Sequence, residues 1–157
     1  MAVPSQHPLQ LRAAGEDDRD FLLQLYATTR WDELGPTGWS DAAKLDFLRQ
    51  QFRCQDLHYR KAFPNAAFDV VSIAEPVGRL YLNRGSSDYH VIDVSLLPQW
   101  RNRGIGSQLM QQVQAQARAR GCRVALYVDL HSPARKLYER LGFRAMEHGD
   151  IRVRMEC

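Results

Sequence analysis

The sequence has few cysteines and no long apolar run, and each absence removes a class of protein. Its three cysteines, Cys54, Cys122 and Cys157, form no CxxC pair, which excludes a disulfide scaffold. Cys54 has no motif around it and is expected to be a passive thiol. No apolar stretch approaches the ~20 residues that span a bilayer, and the first residues lack the pattern of an export signal. These absences predict a cytoplasmic protein without membrane contact.

Several catalytic signatures are missing as well. The sequence contains no HExxH zinc motif, no GxSxG nucleophile elbow, no GK[ST] of a Walker loop and no His/Cys cluster at zinc-ligand spacing. We therefore expect no bound metal. A Rossmann fingerprint is also disfavoured, because Leu109 follows Gln108 where a third glycine would stand.

What remains is the composition of one globular domain with an uneven charge distribution. The 157 residues are 45% hydrophobic, 10% aromatic and 25% charged, so we assign residues 1–157 to a single domain and expect 1–8 to be flexible. Residues 1–100 carry 10 Lys/Arg against 13 Asp/Glu, whereas residues 101–157 carry 11 against 5. The arginine-rich C-terminal part is therefore expected to meet an anion.

The spacing of apolar residues predicts an α/β fold. Apolar residues four apart predict a helix over 104–120 that ends at Gly121, and Ser40 and Ser132 are the predicted N-caps of two other helices. Residues 28–39 contain two glycines and a proline and are predicted to be an irregular connection. The predicted strands are residues 9–13, 68–73, 77–82, 89–97, 123–128 and one or two within 143–155.

The most informative segment is residues 91–106, VIDVSLLPQWRNRGIG. A buried strand runs into an arginine-containing turn, and two glycines then open a helix. Glycines at a helix start let a ligand approach amide groups that have no partner within the helix, which suits phosphate or pyrophosphate. An ordinary strand-to-helix turn with solvated arginines would have the same pattern. The candidate ligand-binding residues are Arg101, Asn102, Arg103, Gly104, Ile105, Gly106 and Ser107.

Two motifs in this order resemble a known family. Arg101-x-x-Gly104-x-Gly106 resembles the [QR]-x-x-G-x-[GA] signature of the GNAT acetyltransferase superfamily, and residues 134–143, ARKLYERLGF, resemble its A-x-x-L-Y-x-x-x-G-F signature. The resemblance implies a mixed, mostly antiparallel twisted sheet of about six to seven strands with about four helices, splayed between strands four and five. It also implies an N-acetyltransferase that uses acetyl-CoA as cosubstrate, and a possible homodimer.

The resemblance also implies roles for individual residues. The loop amides would hold the CoA pyrophosphate, and the backbone amides of Leu96 and Leu97 would lie beside the acetyl carbonyl. Tyr138 matches the tyrosine that protonates the CoA sulfur in many relatives. The family usually has an asparagine a few residues before Ala134. Here His131 and Ser132 stand nearby, and either one donates to the ligand in its place or that contact is absent.

Two residues of the strand before the loop are candidates for the general base. Asp93 leads, because an acid inside an apolar run is costly unless it is paired or solvated by a cleft. His90 lies near the position where some relatives carry a glutamate base, and an ordinary imidazole pKa of ~6.5 suits the task. A structural role for each, a base that acts through water, and no base at all stay open.

The acceptor is not identified by the sequence. It is expected to be a primary amine on a small molecule, an amino acid or a peptide terminus. Glu33 or Asp93 would suit an acceptor ammonium, and Arg30 or Arg79 an acceptor carboxylate. A non-catalytic acyl-CoA-binding module or sensor on the same fold is the alternative. Nucleic-acid binding is not expected, because the aromatic residues do not interleave with the C-terminal arginines.

Overall fold

The computed structural model describes residues 7–157, apart from the side chain of His148. The flexibility predicted for residues 1–8 falls mainly on residues 1–6, which lie outside the described residues. The described chain contains seven strands and four α-helices: β1 Gln10–Ala13, α1 Arg19–Arg30, α2 Asp41–Ala62, β2 Ala67–Ile73, β3 Glu75–Arg84, β4 Asp88–Leu96, α3 Ile105–Ala119, β5 Arg123–Asp129, α4 Ala134–Arg140, β6 Arg144–His148 and β7 Arg152–Glu156.

The strands form one mixed sheet in the order β1-β2-β3-β4-β5-β7-β6. β1 pairs antiparallel with β2, and β7 pairs antiparallel with both β5 and β6. β4 and β5 are parallel, which requires a crossover connection, and α3 provides it. The predicted fold class, a mixed and mostly antiparallel α/β sheet with four helices, is confirmed.

The parallel pairing of β4 with β5 ends partway along both strands. The register pairs Asp88 with Arg123 and continues only to Val91 and Leu126. β4 then runs on to Leu96 and β5 to Asp129. The predicted divergence between strands four and five is confirmed, and it begins directly after Val91.

The described residues fall into two compact units, of which the first comprises residues 7–80 and 95–100. In this unit α1 packs on α2. Tyr26, Ala27 and Leu48 form a buried cluster, against which further aromatic side chains pack. Ser40 caps α2 as predicted, because its hydroxyl oxygen accepts the Ala43 N–H at 3.2 Å.

The prediction of an irregular connection over residues 28–39 is wrong for most of its length. α1 continues to Arg30, and a 3-10 helix follows over Trp31–Thr37. The hydroxyls of Thr28 and Thr29 donate to carbonyls one turn earlier, each at 2.7 Å. Trp31 and Leu34 pack against the α1–α2 cluster, so tertiary contacts outweigh the low helix propensity of this segment.

The second unit comprises residues 81–94 and 101–157. Here α3 and α4 pack on β5, and α3 buries one apolar stripe that includes Leu109, Met110 and Val113. Gly121 ends α3 as predicted, with a positive φ of 67°. The Cys122 N–H donates to the Ala117 carbonyl at 2.8 Å, which together with the Gly121 N–H forms a Schellman cap.

Candidate functional site

The turn before α3 is built from left-handed backbone conformations. Asn102 has φ 61° and Gly104 has φ 82°, and asparagine and glycine tolerate this region best. The first intrahelical amide is that of Gln108, which donates to the Gly104 carbonyl at 3.0 Å. The preceding amides of Ile105, Gly106 and Ser107 are consequently without an intrahelical partner. They form the positive end of a helix that is 15 residues long.

The two glycine positions of this turn, Gly104 and Gly106, are occupied by glycine for different structural reasons. A Cβ at Gly104 would meet nothing within 4 Å, so this glycine is required by its positive φ. A Cβ at Gly106 would meet only the Leu137 Cδ2 atom, at 3.6 Å, which is an ordinary van der Waals contact. Neither backbone strain nor internal packing therefore requires Gly106 to be glycine. The remaining reason is access to the amides beside it, which a methyl group would cover.

Tyr138 lies on α4 and is held from the end of that helix. Gly142 has φ 96°, and its N–H donates to the Glu139 carbonyl while the Phe143 N–H donates to the Tyr138 carbonyl, at 3.1 and 3.0 Å. The Phe143 ring contacts the Tyr138 ring with centroids 5.7 Å apart. The Gly-Phe pair is thus a helix cap that fixes the tyrosine.

The Tyr138 hydroxyl is kept protonated by its surroundings. The residue is 8% exposed, and burial followed by the negative charge of Asp93 raises the pKa of Tyr138 to about 12. Asp93 and Tyr138 therefore interact, and the group can donate a proton at neutral pH without being ionised beforehand.

The side chain of His90 projects from the face of β4 opposite to that of Asp93. His90 and Asp93 are three positions apart on an extended strand, so their side chains point to opposite sides. The His90 ring contacts the Tyr127 ring of β5, with centroids 5.7 Å apart. Burial and then the positive charge of Arg154 lower the pKa of His90, while Asp88 acts in the other direction. Of the two candidate bases, Asp93 is the one whose charge acts on Tyr138.

Comparison with known proteins identifies the family. The model of the acetyltransferase (GNAT) family matches residues 26–143, which is well over half of the chain. The chain belongs to the GNAT acetyltransferase family. The match includes the α3 turn, α4 and most of the sheet, so the resemblance inferred from the two motifs is confirmed.

Solved GNAT structures share the fold over nearly the whole chain. An acetyltransferase from Thermus thermophilus is 20% identical, covers 97% of this chain and 99% of its own, and superposes with a TM-score of 0.71. PaiA N-acetyltransferase from Thermoplasma acidophilum, in complex with coenzyme A, is 16% identical over 95% and 98%, with a TM-score of 0.69. Naa50 from Arabidopsis thaliana, in complex with the bisubstrate analogue CoA-Ac-MVNAL, is 15% identical over 95% and 97%, with a TM-score of 0.63. At these identities the likeness shows the fold alone.

A curated relative matches a shorter segment at higher identity. Mycothiol acetyltransferase from Thermobifida fusca is 43% identical over 54 residues. The match covers 34% of this chain and 16% of the length of that relative. The chain therefore aligns with a small part of this enzyme.

Within the GNAT fold, the amide of Leu97 has a hydrogen-bond partner in β3. The Leu97 N–H donates to the Val77 carbonyl at 2.8 Å. A Cβ at Gly78 would collide with the Ser95 carbonyl and the Leu96 side chain, so glycine is what allows β3 to approach β4 here. Leu97 could donate to a ligand only by sharing or giving up the bond to Val77.

The residues that stand in place of the GNAT asparagine are placed at the start of α4. α4 begins at Ala134, so the N-cap position is Pro133 and not Ser132 as predicted. The Ser132 hydroxyl oxygen accepts the Ala134 N–H at 3.2 Å, so this side chain is already engaged. His131 is exposed. Of the two, His131 has the freer side chain for contact with a ligand.

The residues of the first unit that are candidates for binding the acceptor substrate differ in their exposure. Arg30 and Glu33 form an exposed ion pair, with 3.7 Å between Nη1 and Oε2, and so offset each other's charge. Arg79 is 3% exposed and donates to the Gln55 side chain at 2.9 Å. A buried arginine of this kind is not accessible to a carboxylate in solution.

Tyr127 was not among the residues predicted for the site. The sequence indicates a nearly continuous apolar strand there, whereas in the structure Tyr127 is 50% exposed beside His90. In residues 7–157 no group of three or more His, Cys, Asp or Glu is arranged to hold a metal ion. Among the helices that the structure describes, none is both long and apolar enough to cross a membrane.

Proposed function

We propose that this chain is an N-acetyltransferase that transfers an acetyl group from acetyl-CoA to a primary amine of a small molecule, an amino acid or a peptide terminus. The observation that carries the proposal is the start of α3, where the amides of Ile105, Gly106 and Ser107 come together beside a glycine that nothing inside the protein requires. Pyrophosphate oxygens suit this arrangement because they accept hydrogen bonds and carry the charge that a helix N-terminus stabilises. The coenzyme A bound to the PaiA relative supports this assignment.

Residues in several parts of the chain would contact a CoA thioester. Arg101 and Arg103 add cationic donors to the α3 turn. By the GNAT resemblance, the amides of Leu96 and Leu97 would lie beside the thioester carbonyl, and Leu97 would then share its N–H with Val77. His131 is the preferred side chain at the position of the GNAT asparagine. When bound, acetyl-CoA supplies an acetyl group activated as a thioester.

The side chains of the second unit would perform the proton transfers. His90 or Asp93 accepts the proton that the acceptor ammonium must lose before its nitrogen can form the new C–N bond. Tyr138 donates its hydroxyl proton to the sulfur as the C–S bond breaks. Tyr138 then recovers a proton from the acetylated nitrogen through solvent, so that one amide, one thiol and one released proton result. The elevated pKa of Tyr138 keeps the donor form populated at neutral pH.

The proposal is tested by measuring CoA-thiol release across a panel of amines, with CoA affinity measured separately by calorimetry. Tyr138→Phe removes only the hydroxyl and should lower kcat by about 100-fold or more, the scale of general acid catalysis, while CoA affinity stays at the wild-type level. Unchanged turnover in Tyr138→Phe would remove this residue as the acid. Tight CoA binding without turnover of any amine would favour the alternative, an acyl-CoA-binding module or sensor on the same fold.

A further inference from the structure

Tyr127, His90 and Arg154 form a cluster of side chains in the second unit, which we call the Tyr127 cluster. Tyr127 is the first residue of β5 beyond the segment that pairs with β4, so it stands where the two strands begin to diverge. Its ring contacts the His90 ring at 5.7 Å with an interplanar angle of 67°, an edge-to-face geometry. The Arg154 Nη1 donates to the Tyr127 hydroxyl oxygen at 3.4 Å, and the guanidinium lies 5.7 Å from the ring centroid.

Arg154 is itself fixed by carboxylates. Its Nε and Nη2 donate to Oε1 of Glu156 at 3.1 and 2.9 Å, and Nη2 lies 3.9 Å from the Asp88 carboxylate. The Arg154 side chain is 24% exposed, and its three nitrogens all have oxygen partners. Because Arg154 donates to the Tyr127 oxygen, the hydroxyl proton of Tyr127 is directed away from Arg154.

We propose that Tyr127 and Arg154 are positioning residues for His90, and that His90 is the proton acceptor for the amine substrate. This inference rests on the proposed function and assigns the base that the sequence leaves open between His90 and Asp93. Asp93 interacts with Tyr138, the proton donor, on the other face of β4. The proton donor Tyr138, with Asp93 as its neighbour, and the base His90, with its positioning residues, are then separated by β4.

The charges around His90 suit this role. Asp88 is on the same strand, Tyr127 and Arg123 are on β5, and Arg154 and Glu156 are on β7. Burial and Arg154 lower the pKa of His90 against the opposing effect of Asp88, so the imidazole is neutral at neutral pH. A neutral imidazole has a lone pair with which to take the proton of the acceptor ammonium. His90 is only partly buried, so it can pass the proton on to water.

The contribution of Arg154 has two parts that different substitutions separate. Arg154→Gln removes the charge and the fork of donors, whereas Arg154→Lys keeps the charge and loses the planar geometry that reaches both Tyr127 and Glu156. Tyr127→Phe removes the hydroxyl and keeps the ring against His90. Arg123→Gln is the matched control, since Arg123 also pairs with Glu156, at 3.7 Å, but is 73% exposed.

Two readouts are compared in the protein of residues 1–157, with thermal melts to confirm that each variant folds. The pKa of His90 is measured by NMR titration of the histidine ring protons, with His90→Gln used to assign the signal. In parallel, kcat/KM for the amine is measured against pH at saturating acetyl-CoA. Arg154→Gln should raise the pKa of His90 and move the acid limb of the profile to higher pH in step. Tyr127→Phe and Arg154→Lys should lower kcat/KM on the order of tenfold or more through lost positioning, with CoA affinity unchanged. Arg123→Gln should match the wild type in both readouts.

Each failure has a distinct meaning. An unchanged His90 pKa in Arg154→Gln refutes the effect of the Arg154 charge on His90, and wild-type kcat/KM in Tyr127→Phe and Arg154→Lys refutes the positioning role. A His90 pKa that moves while the pH profile stays in place refutes His90 as the base. Loss of the acid limb in Asp93→Asn, with His90→Gln active, would transfer the role to Asp93 and overturn the inference while leaving the proposed function intact. A wild-type protein that titrates normally but turns over no amine refutes the proposed function itself, and the base role with it.

Discussion

Replacing Gly106 by alanine should make the protein slightly more stable and bind CoA more weakly. The new Cβ would lie 3.6 Å from Leu137 Cδ2, so the free protein accommodates it without a shift. Alanine is better than glycine within a helix by about 0.5–1 kcal/mol, which for a chain of this size raises Tm by about 1–4 °C. The change in stability is thus small and positive.

The same methyl group would cover amides that we assign to the CoA pyrophosphate. Hydrogen bonds to charged groups contribute about 1.5–3 kcal/mol each, and about 1.4 kcal/mol corresponds to a factor of ten in affinity. Losing one such bond should weaken CoA binding by about 10- to 100-fold. Calorimetric titration with CoA and a thermal melt of the same sample measure both effects together.

Two further glycines provide controls for backbone strain. Gly104 and Gly121 lie at opposite ends of α3, both have positive φ, and a Cβ at either would meet nothing within 4 Å. Alanine at each should cost about 1–2 kcal/mol of stability through the left-handed conformation alone. Only Gly104→Ala should also weaken CoA binding. Wild-type CoA affinity in Gly106→Ala would refute the assignment of the α3 amides to the pyrophosphate, and a marked fall in its Tm would refute the packing argument.

Three predictions concern stability away from the α3 turn. Arg12 donates to both carboxylate oxygens of Asp18 at 2.7 Å and, with the Gly15 amide, lowers the pKa of Asp18 to about 2. This stabilisation is present above about pH 4 and is lost as the pH falls through about 2, so Arg12→Gln should cost about 1–2 kcal/mol in urea unfolding at pH 7 and progressively less in acid. Gly78→Ala should cost about 3 kcal/mol or more, because its Cβ would meet β4 backbone, and a soluble variant with wild-type Tm would contradict this. Ser40→Ala should lower stability by about 1 kcal/mol, with recovery in Ser40→Asp, measured by thermal melts.

Local patterns were sufficient where the determining contacts are local. The four-residue spacing of apolar side chains and Gly121 predict α3 and its end, because a helix and its Schellman cap are set by residues within one turn of each other. The motif around Tyr138 likewise corresponds to a cap formed by its immediate neighbours Gly142 and Phe143.

The sequence was insufficient where distant segments decide the outcome. Residues 31–37 form a 3-10 helix because Trp31 and Leu34 pack against the α1–α2 cluster, a contact that the local glycines and proline do not signal. The neighbours of His90 come from β5 and β7, which reach it only through the strand order β4-β5-β7. Alternation along β4 separates His90 from Asp93, but it does not tell which of the two faces Tyr138.

The register between β4 and β5 ends inside the sheet rather than at its margin. From Ile92 and Tyr127 onwards, the two strands continue without the parallel register that joins them earlier. Backbone amides and carbonyls at the margin of a sheet ordinarily recruit other chains, and proteins guard such margins against aggregation. A third strand could enter between β4 and β5 only by separating them further. Under the proposed function we therefore expect the opening to select its ligand by width, because a thin, flexible molecule with its own amide groups fits where a polypeptide strand with side chains does not.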